Sequence, residues 1–143
     1  MISFFLPMIP PTITHQEHEF KIVNGKVVVY DPPRLKDARR KFMGCLRDAK
    51  HRIDGWDFIF PLDGPVRLVT KWIWPTGNEH AEGEWKISKP DTDNLIKLFK
   101  DCMTRNYFWH DDAQVCSEIT EKFYGQHPGI YVRVELIKPY DDF

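Results

Sequence analysis

Cysteine is scarce in this 143-residue chain: Cys45, Cys102 and Cys116 are odd in number and form no Cys-x-x-Cys pair. That excludes a disulfide-built scaffold and a zinc ribbon, and leaves reduced, buried thiols as the expectation. Long apolar runs are missing as well. Nothing approaches the roughly 18 residues of a membrane span, and Met1-Ile2-Ser3-Phe4-Phe5-Leu6 is broken by Pro7 before it could form a signal-peptide core. The chain therefore reads as soluble and intracellular. It has no glycine-rich phosphate loop, no Gly-x-Ser-x-Gly elbow, no internal repeat and no low-complexity segment. An excess of one charge is also lacking: the formal net charge is -1, without the positive surplus usual in nucleic-acid-binding proteins. Cations bound to a cluster of aspartates would reverse that sign, so the position of the lysines counts for more than their sum.

What is present suits one domain spanning residues 1–143, since 42% hydrophobic residues at this length supply one core and not two. Ile2 to Leu6 reads as an edge or first strand closed by Pro7, and Ile9-Pro10-Pro11-Thr12 as a rigid extended loop. Asn24-Gly25, flanked by Lys21-Ile22-Val23 and Val27-Val28-Val29-Tyr30, predicts a hairpin over residues 20–30. Asp31-Pro32-Pro33 supplies an N-cap and a first-turn proline. Leu35, Ala38, Phe42, Cys45, Leu46 and Ala49 then recur at helical spacing to about Lys50, with Lys36, Arg40 and Arg47 along one flank. Residues 51–64 read as a connecting loop, Val66 to Trp74 as a long strand ending at Pro75, and Thr76 to Glu84 as a mobile polar loop. A second helix begins near Thr92 and can end at Asn106. Val115, Ile119 and Phe123 mark a further strand, and Ile130 to Ile137 a last one, expected as its hairpin partner. The fold class is α+β, a mixed β-sheet with two main helices.

The chemistry concentrates in Lys89-Pro90-Asp91-Thr92-Asp93-Asn94-Leu95-Ile96-Lys97 and Trp109-His110-Asp111-Asp112-Ala113-Gln114-Val115. On a helical wheel Leu95, Leu98, Phe99, Cys102 and Met103 fill one arc, and Asp93, Lys97, Lys100, Asp101 and Thr104 the opposite one. Asp93 and Lys97 thus point the same way at a helix start, with Asp91 at or near the N-cap. Each residue has a plainer reading. Asp91 suits a simple cap, Asp93 and Lys97 an i to i+4 ion pair worth roughly 0.2 to 0.5 kcal/mol, and Asp111-Asp112 a turn. Together these readings convince less, because acids gathered around one helix and one strand repel unless a cation joins them. Magnesium or manganese takes oxygen ligands and keeps several waters, so two or three carboxylates plus a substrate phosphate suffice: Asp91 and Asp93, with Asp111 or Asp112. His110, a single histidine in a loop, receives no catalytic role.

These two segments, with Asp101 between them, resemble the signature of the RusA family of Holliday junction resolvases. The similarity is sharp over residues 89–116 and looser elsewhere. It implies a Mg²⁺- or Mn²⁺-dependent endonuclease of DNA recombination and repair, active as a homodimer, that cuts two opposed strands of a four-way junction. It implies a bacterial or phage-encoded, cytoplasmic protein. Carried onto this sequence, the essential acids are Asp91, Asp93 and Asp112, which would hold the metal, and the essential lysine is Lys97. Family members often carry an asparagine in the proline-rich N-terminal motif, where this chain has Ile9-Pro10-Pro11-Thr12-Ile13-Thr14-His15, so either Thr14 or His15 stands in its place or the contact is lost. Lys89, Lys97 and Lys100 are the expected phosphate contacts, with Lys36, Arg40, Arg47 and Lys71 secondary. Trp72, Trp74 and Phe4-Phe5 are the candidates for a dimer interface. The competing reading is a non-catalytic branched-DNA-binding protein of phage origin. A phosphoacceptor receiver domain also groups acids with a lysine, but its acidic pair follows the first strand, whereas Asp111-Asp112 comes late.

Overall fold

A computed structural model describes residues 1–12, 19–30, 33–53 and 59–141 of the protein. The Thr14-His15 motif, the Asp31-Pro32 helix start and the Gly55-Trp56 part of the loop lie outside the described residues. The chain order is β1 (Ile2–Pro7), β2 (Glu19–Val23), β3 (Lys26–Tyr30), α1 (Pro33–Ile53), β4 (Val66–Pro75), α2 (Thr92–Arg105), a 3-10 turn (Asp112–Gln114), β5 (Val115–Gly125) and β6 (Gly129–Leu136). Two helices and a mixed sheet form the α+β domain predicted from sequence. The β2–β3 hairpin turns on Asn24 (φ 52°) and Gly25 (φ 77°), the left-handed pair that such a two-residue turn requires.

The four-stranded sheet has the order β1-β6-β4-β5, with β4 antiparallel to β6 and parallel to β5. Alternation along β4 turns Val66, Leu68, Thr70, Trp72 and Trp74 into the core, and Ile130, Val132 and Val134 of β6 join them. The helices cover this face. Phe42 of α1, Trp72 of β4 and Phe99 of α2 meet edge to face with centroids 5.2 to 5.9 Å apart. Beyond the area they bury, such pairs contribute about 0.5 to 1.5 kcal/mol each. Residues Leu35, Ala38, Phe42, Leu46 and Ala49 form the buried stripe of α1, while Lys36, Arg40 and Arg47 lie on its exposed side.

Four expectations need correction. The strands β5 and β6 are not a hairpin pair, because β4 runs between them and the link from Gly125 to Gly129 crosses over its end. Glycine is required at that crossing: a Cβ on Gly129 would come within 2.2 Å of Phe5 Cζ and 2.6 Å of Leu6 O, and one on Gly125 within 2.7 Å of Ile73 Cγ2. Trp72 and Trp74 are buried within the core and so cannot face a second copy; Phe4 stacks at 5.9 Å on Phe108, leaving Phe5 as the exposed member of its pair. Cys102 is buried, but Cys116 is exposed. The polar loop after β4 is fastened along the free edge of β5 by Gly83 N to Tyr124 O (2.8 Å), Tyr124 N to Glu84 O (2.9 Å) and Lys86 N to Lys122 O (3.0 Å).

A single irregularity sets the phase of β5. Val66 pairs with Val115 and Arg67 with Ser117, so Cys116 is an extra residue, a bulge, at the start of the strand. Beyond it Glu118, Thr120, Lys122 and Tyr124 pair with Leu68, Thr70, Trp72 and Trp74, and therefore share the helix-covered face.

Candidate active site

Burial of Leu95, Ile96, Leu98, Phe99, Cys102 and Met103 fixes the rotation of α2, and Asp93 and Lys97 are left in solvent on its other side. Ile96 extends the buried arc beyond the residues picked out by periodicity. Asp91 is the N-cap, with φ -70° and ψ 148°, and its carbonyl accepts from Leu95 N at 3.1 Å. Its carboxylate makes no capping hydrogen bond. The simplest structural role for this residue is therefore not realised by its side chain.

The next acidic pair is divided. Asp111 caps the 3-10 turn, accepting from Ala113 N at 2.9 Å, while Gln114 Oε1 accepts from Asp111 N at 3.0 Å and His110 N at 2.8 Å. Gln114 Nε2 donates to Leu62 O at 2.9 Å and Gly64 O at 3.0 Å. This glutamine, which carried no assigned role from sequence, ties the turn to the chain entering β4. Asp112, one residue after the cap, is exposed at the start of the turn and is not on the strand itself.

Neighbouring charges are mostly committed. Lys100 pairs with Glu118 at 2.9 Å, Arg105 with Asp101 at 3.3 Å, and His110 with Asp63 at 3.7 Å. By contrast, among the described residues the side chains of Lys89, Asp91, Asp93, Lys97 and Asp112 make no hydrogen bond or ion pair, and the Asp93–Lys97 ion pair does not form. Lys71, on the open side of the sheet, places its ammonium 5.7 Å from the centre of the Tyr131 ring.

A residue unnoticed in the sequence completes the surroundings. Lys122 of β5 donates to Ser88 O and Pro90 O, both at 2.6 Å, and so holds the backbone that leads into Asp91. Burial first, then the charge of Lys86, lowers the pKa of its ammonium, against an opposing pull from Asp91. Lys86 in turn donates to Ser88 Oγ at 2.7 Å and lies over the rings of Trp74 and Tyr124. No period-2 reading could have found Lys122, because the bulge at Cys116 shifts the phase of β5.

Between α2 and β5 runs an open groove lined by Thr92, Asp93, Ile96, Glu118 and Thr120. Beside it, Asn94 Oδ1 and Thr120 Oγ1 are buried without a hydrogen-bond partner among the described residues. Asp91 and Asp93 share the N-terminal end of α2, and the turn bearing Asp112 packs on the same helix. The three carboxylates do not close into one coordination shell, for no cluster of three metal-ligating side chains exists among the described residues. The donor set is nonetheless all oxygen, solvent-facing and, among the described residues, free of competing partners. That fits a hard divalent cation, which needs one or two carboxylates, several waters and a phosphate.

Comparison with known proteins supplies an independent line. A family model described as Endodeoxyribonuclease RusA matches residues 9–135. The chain is 28% identical over 102 residues to a crossover junction endodeoxyribonuclease rusA of Lactococcus phage r1t, covering 71% of this chain and 72% of that protein. It is 27% identical over 127 residues to the uncharacterized protein YqaN of Bacillus subtilis (strain 168), covering 81% and 84% respectively.

Proposed function

The chain belongs to the RusA family of endodeoxyribonucleases, and from that premise we propose that it resolves four-way DNA junctions by divalent-metal-assisted phosphodiester hydrolysis at Asp91, Asp93 and Asp112. A single observation carries the residue assignment. Along α2 and the turn that follows, Lys100 is paired with Glu118, Arg105 with Asp101, and Asp111 with its own turn, while Asp91, Asp93, Asp112 and Lys97 are left without any hydrogen bond or ion pair among the described residues.

Asp91, Asp93 and Asp112 would hold Mg²⁺ or Mn²⁺ together with substrate phosphate. Bound there, such a cation would supply a water of lowered pKa and a positive charge to offset that of the phosphate. The protein's own part is positional. Buried α2 residues keep Asp93 and Lys97 on the solvent side, one turn apart, so the unpaired Lys97 ammonium can meet non-bridging oxygens as their charge grows. Lys89 offers a second free ammonium beside the acids. Lys100 reaches the same side while held by Glu118. A homodimer would present two such sites to two opposed strands, in the cytoplasm of a bacterial host.

The test is cleavage of a synthetic four-way junction with and without Mg²⁺. Wild-type protein should cut only with metal. Asp93→Asn should abolish cutting while junction binding is retained or tightened, because one phosphate-repelling charge is gone. Full activity of Asp93→Asn in Mg²⁺ would falsify the metal assignment.

A further inference from the structure

We propose that Lys122 is a positioning residue for the site, acting through the backbone of Ser88 and Pro90 to fix where the Asp91 carboxylate is presented. Two observations converge on this. The N-cap carboxylate of Asp91 makes no bond to its own helix, so the helix end does not orient it. The backbone immediately before it is instead gripped from β5 by two short bonds from one ammonium, Lys122 to Ser88 O and Pro90 O, both at 2.6 Å.

The chemistry of the contact suits that task. An ammonium offers three donors, and two of them are spent on carbonyls of the same short segment. Charge-assisted bonds of this length hold more firmly than neutral ones. Lys86 braces the other side of the segment through Ser88 Oγ at 2.7 Å and the Tyr124 hydroxyl at 3.5 Å. Both lysines are anchored to the end of β5, which is in register with the buried Trp72 and Trp74 of β4. The rigid core thereby reaches the first acid of the site through one side chain. A misplacement of about 1 Å in such a group can lower a rate by 10²-fold.

The inference rests on the proposed nuclease reading for its catalytic consequence, but the clamp can be read without it. In Lys122→Met, backbone ¹⁵N order parameters over residues 86–91 should fall from the roughly 0.85 of rigid backbone to below about 0.6, while α1 and the central strands stay rigid. Cleavage of a saturating four-way junction in Mg²⁺ should fall ten- to a hundredfold, with metal-free junction affinity within twofold of wild type. Lys122→Cys in a Cys116→Ser background, alkylated with 2-bromoethylamine, restores an ammonium of lysine length and should recover most of the rate; the treated Cys116→Ser parent is the control. Unchanged order parameters over residues 86–91, an undiminished rate, or a loss of order across the whole chain would each overturn the clamp. So would loss of cleavage in proportion to loss of junction binding, which would make Lys122 a DNA contact. Failure of wild-type protein to cut any junction would instead remove the proposed function, and the order parameters would still decide the clamp.

Discussion

Two turns of this protein each begin with an aspartate at the N-cap and carry a second aspartate just after it, yet they use these residues differently. At the 3-10 turn, Asp111 is consumed by a capping box with Gln114, and Asp112 is left over. At α2 the cap residue itself is left over: Asp91 has cap-like backbone angles and no side-chain cap bond, and Asp93 has no partner among the described residues. A longer helix with six buried residues is anchored by its core face and can leave its cap acid unused, whereas a three-residue turn with none cannot. Availability of a carboxylate therefore follows from what else holds its backbone in place.

That contrast can be broken by substitution. The largest effects are expected on rate: Asp91→Asn and Asp112→Asn should each lower junction cleavage by about 10²-fold or more, with thermal midpoints near wild type because neither side chain supports the fold. Next is Gln114→Ala, which removes four hydrogen bonds and should cost about 3 kcal/mol in urea denaturation. Asp111→Ala should cost about 1 kcal/mol by loss of the cap, and reduce cleavage far less than Asp112→Asn; equal losses of rate would erase the distinction between the two. The effect that is smallest at neutral pH is a matter of titration. Burial, then the charge of Asp101, pushes the Cys102 thiol from 9.0 up to about 12. Its folded form keeps a proton that the unfolded chain releases, so this contribution to stability is complete below pH 9 and is lost as pH rises toward 12. At pH 8 a thiol reagent should label exposed Cys116 at once and Cys102 only after unfolding.

Much of this was legible in the sequence, for identifiable reasons. The rotation of α2 followed from a 3.6-residue pattern that burial obeys, and the Asn24-Gly25 hairpin followed from backbone chemistry that few other residues allow. The division between Asp111 and Asp112 was not legible by residue type alone, because it depends on Gln114 reaching carbonyls of residues 62 and 64. Strand β5 was misleading. Val115, Ile119 and Phe123 suggest a single apolar face, but Val115 packs on the core while Ile119 is 48% exposed on the opposite side. The row turned toward α2 is Glu118, Thr120, Lys122 and Tyr124, a polar row that a hydrophobic pattern assigns to solvent. The sheet order was hidden as well, since a three-residue link looks like a hairpin until the neighbour lying between its strands is known.

The extra residue at Cys116 explains how one strand serves two masters. It lets Val115 close the bottom of the core and, without a change of face, brings Lys122 up beneath Ser88 and Pro90. Chain length is thus forgiving at this one point: deleting Cys116 would leave a regular strand with every partner unchanged. The same deletion a few residues later, at Ile119, would keep Lys122 on its face only by flattening the bulge, and would exchange the faces of Ser117 and Glu118, breaking the contact of Glu118 with Lys100. Lineages of this domain should accordingly tolerate a gained or lost residue at the bulge and resist one anywhere between it and Lys122.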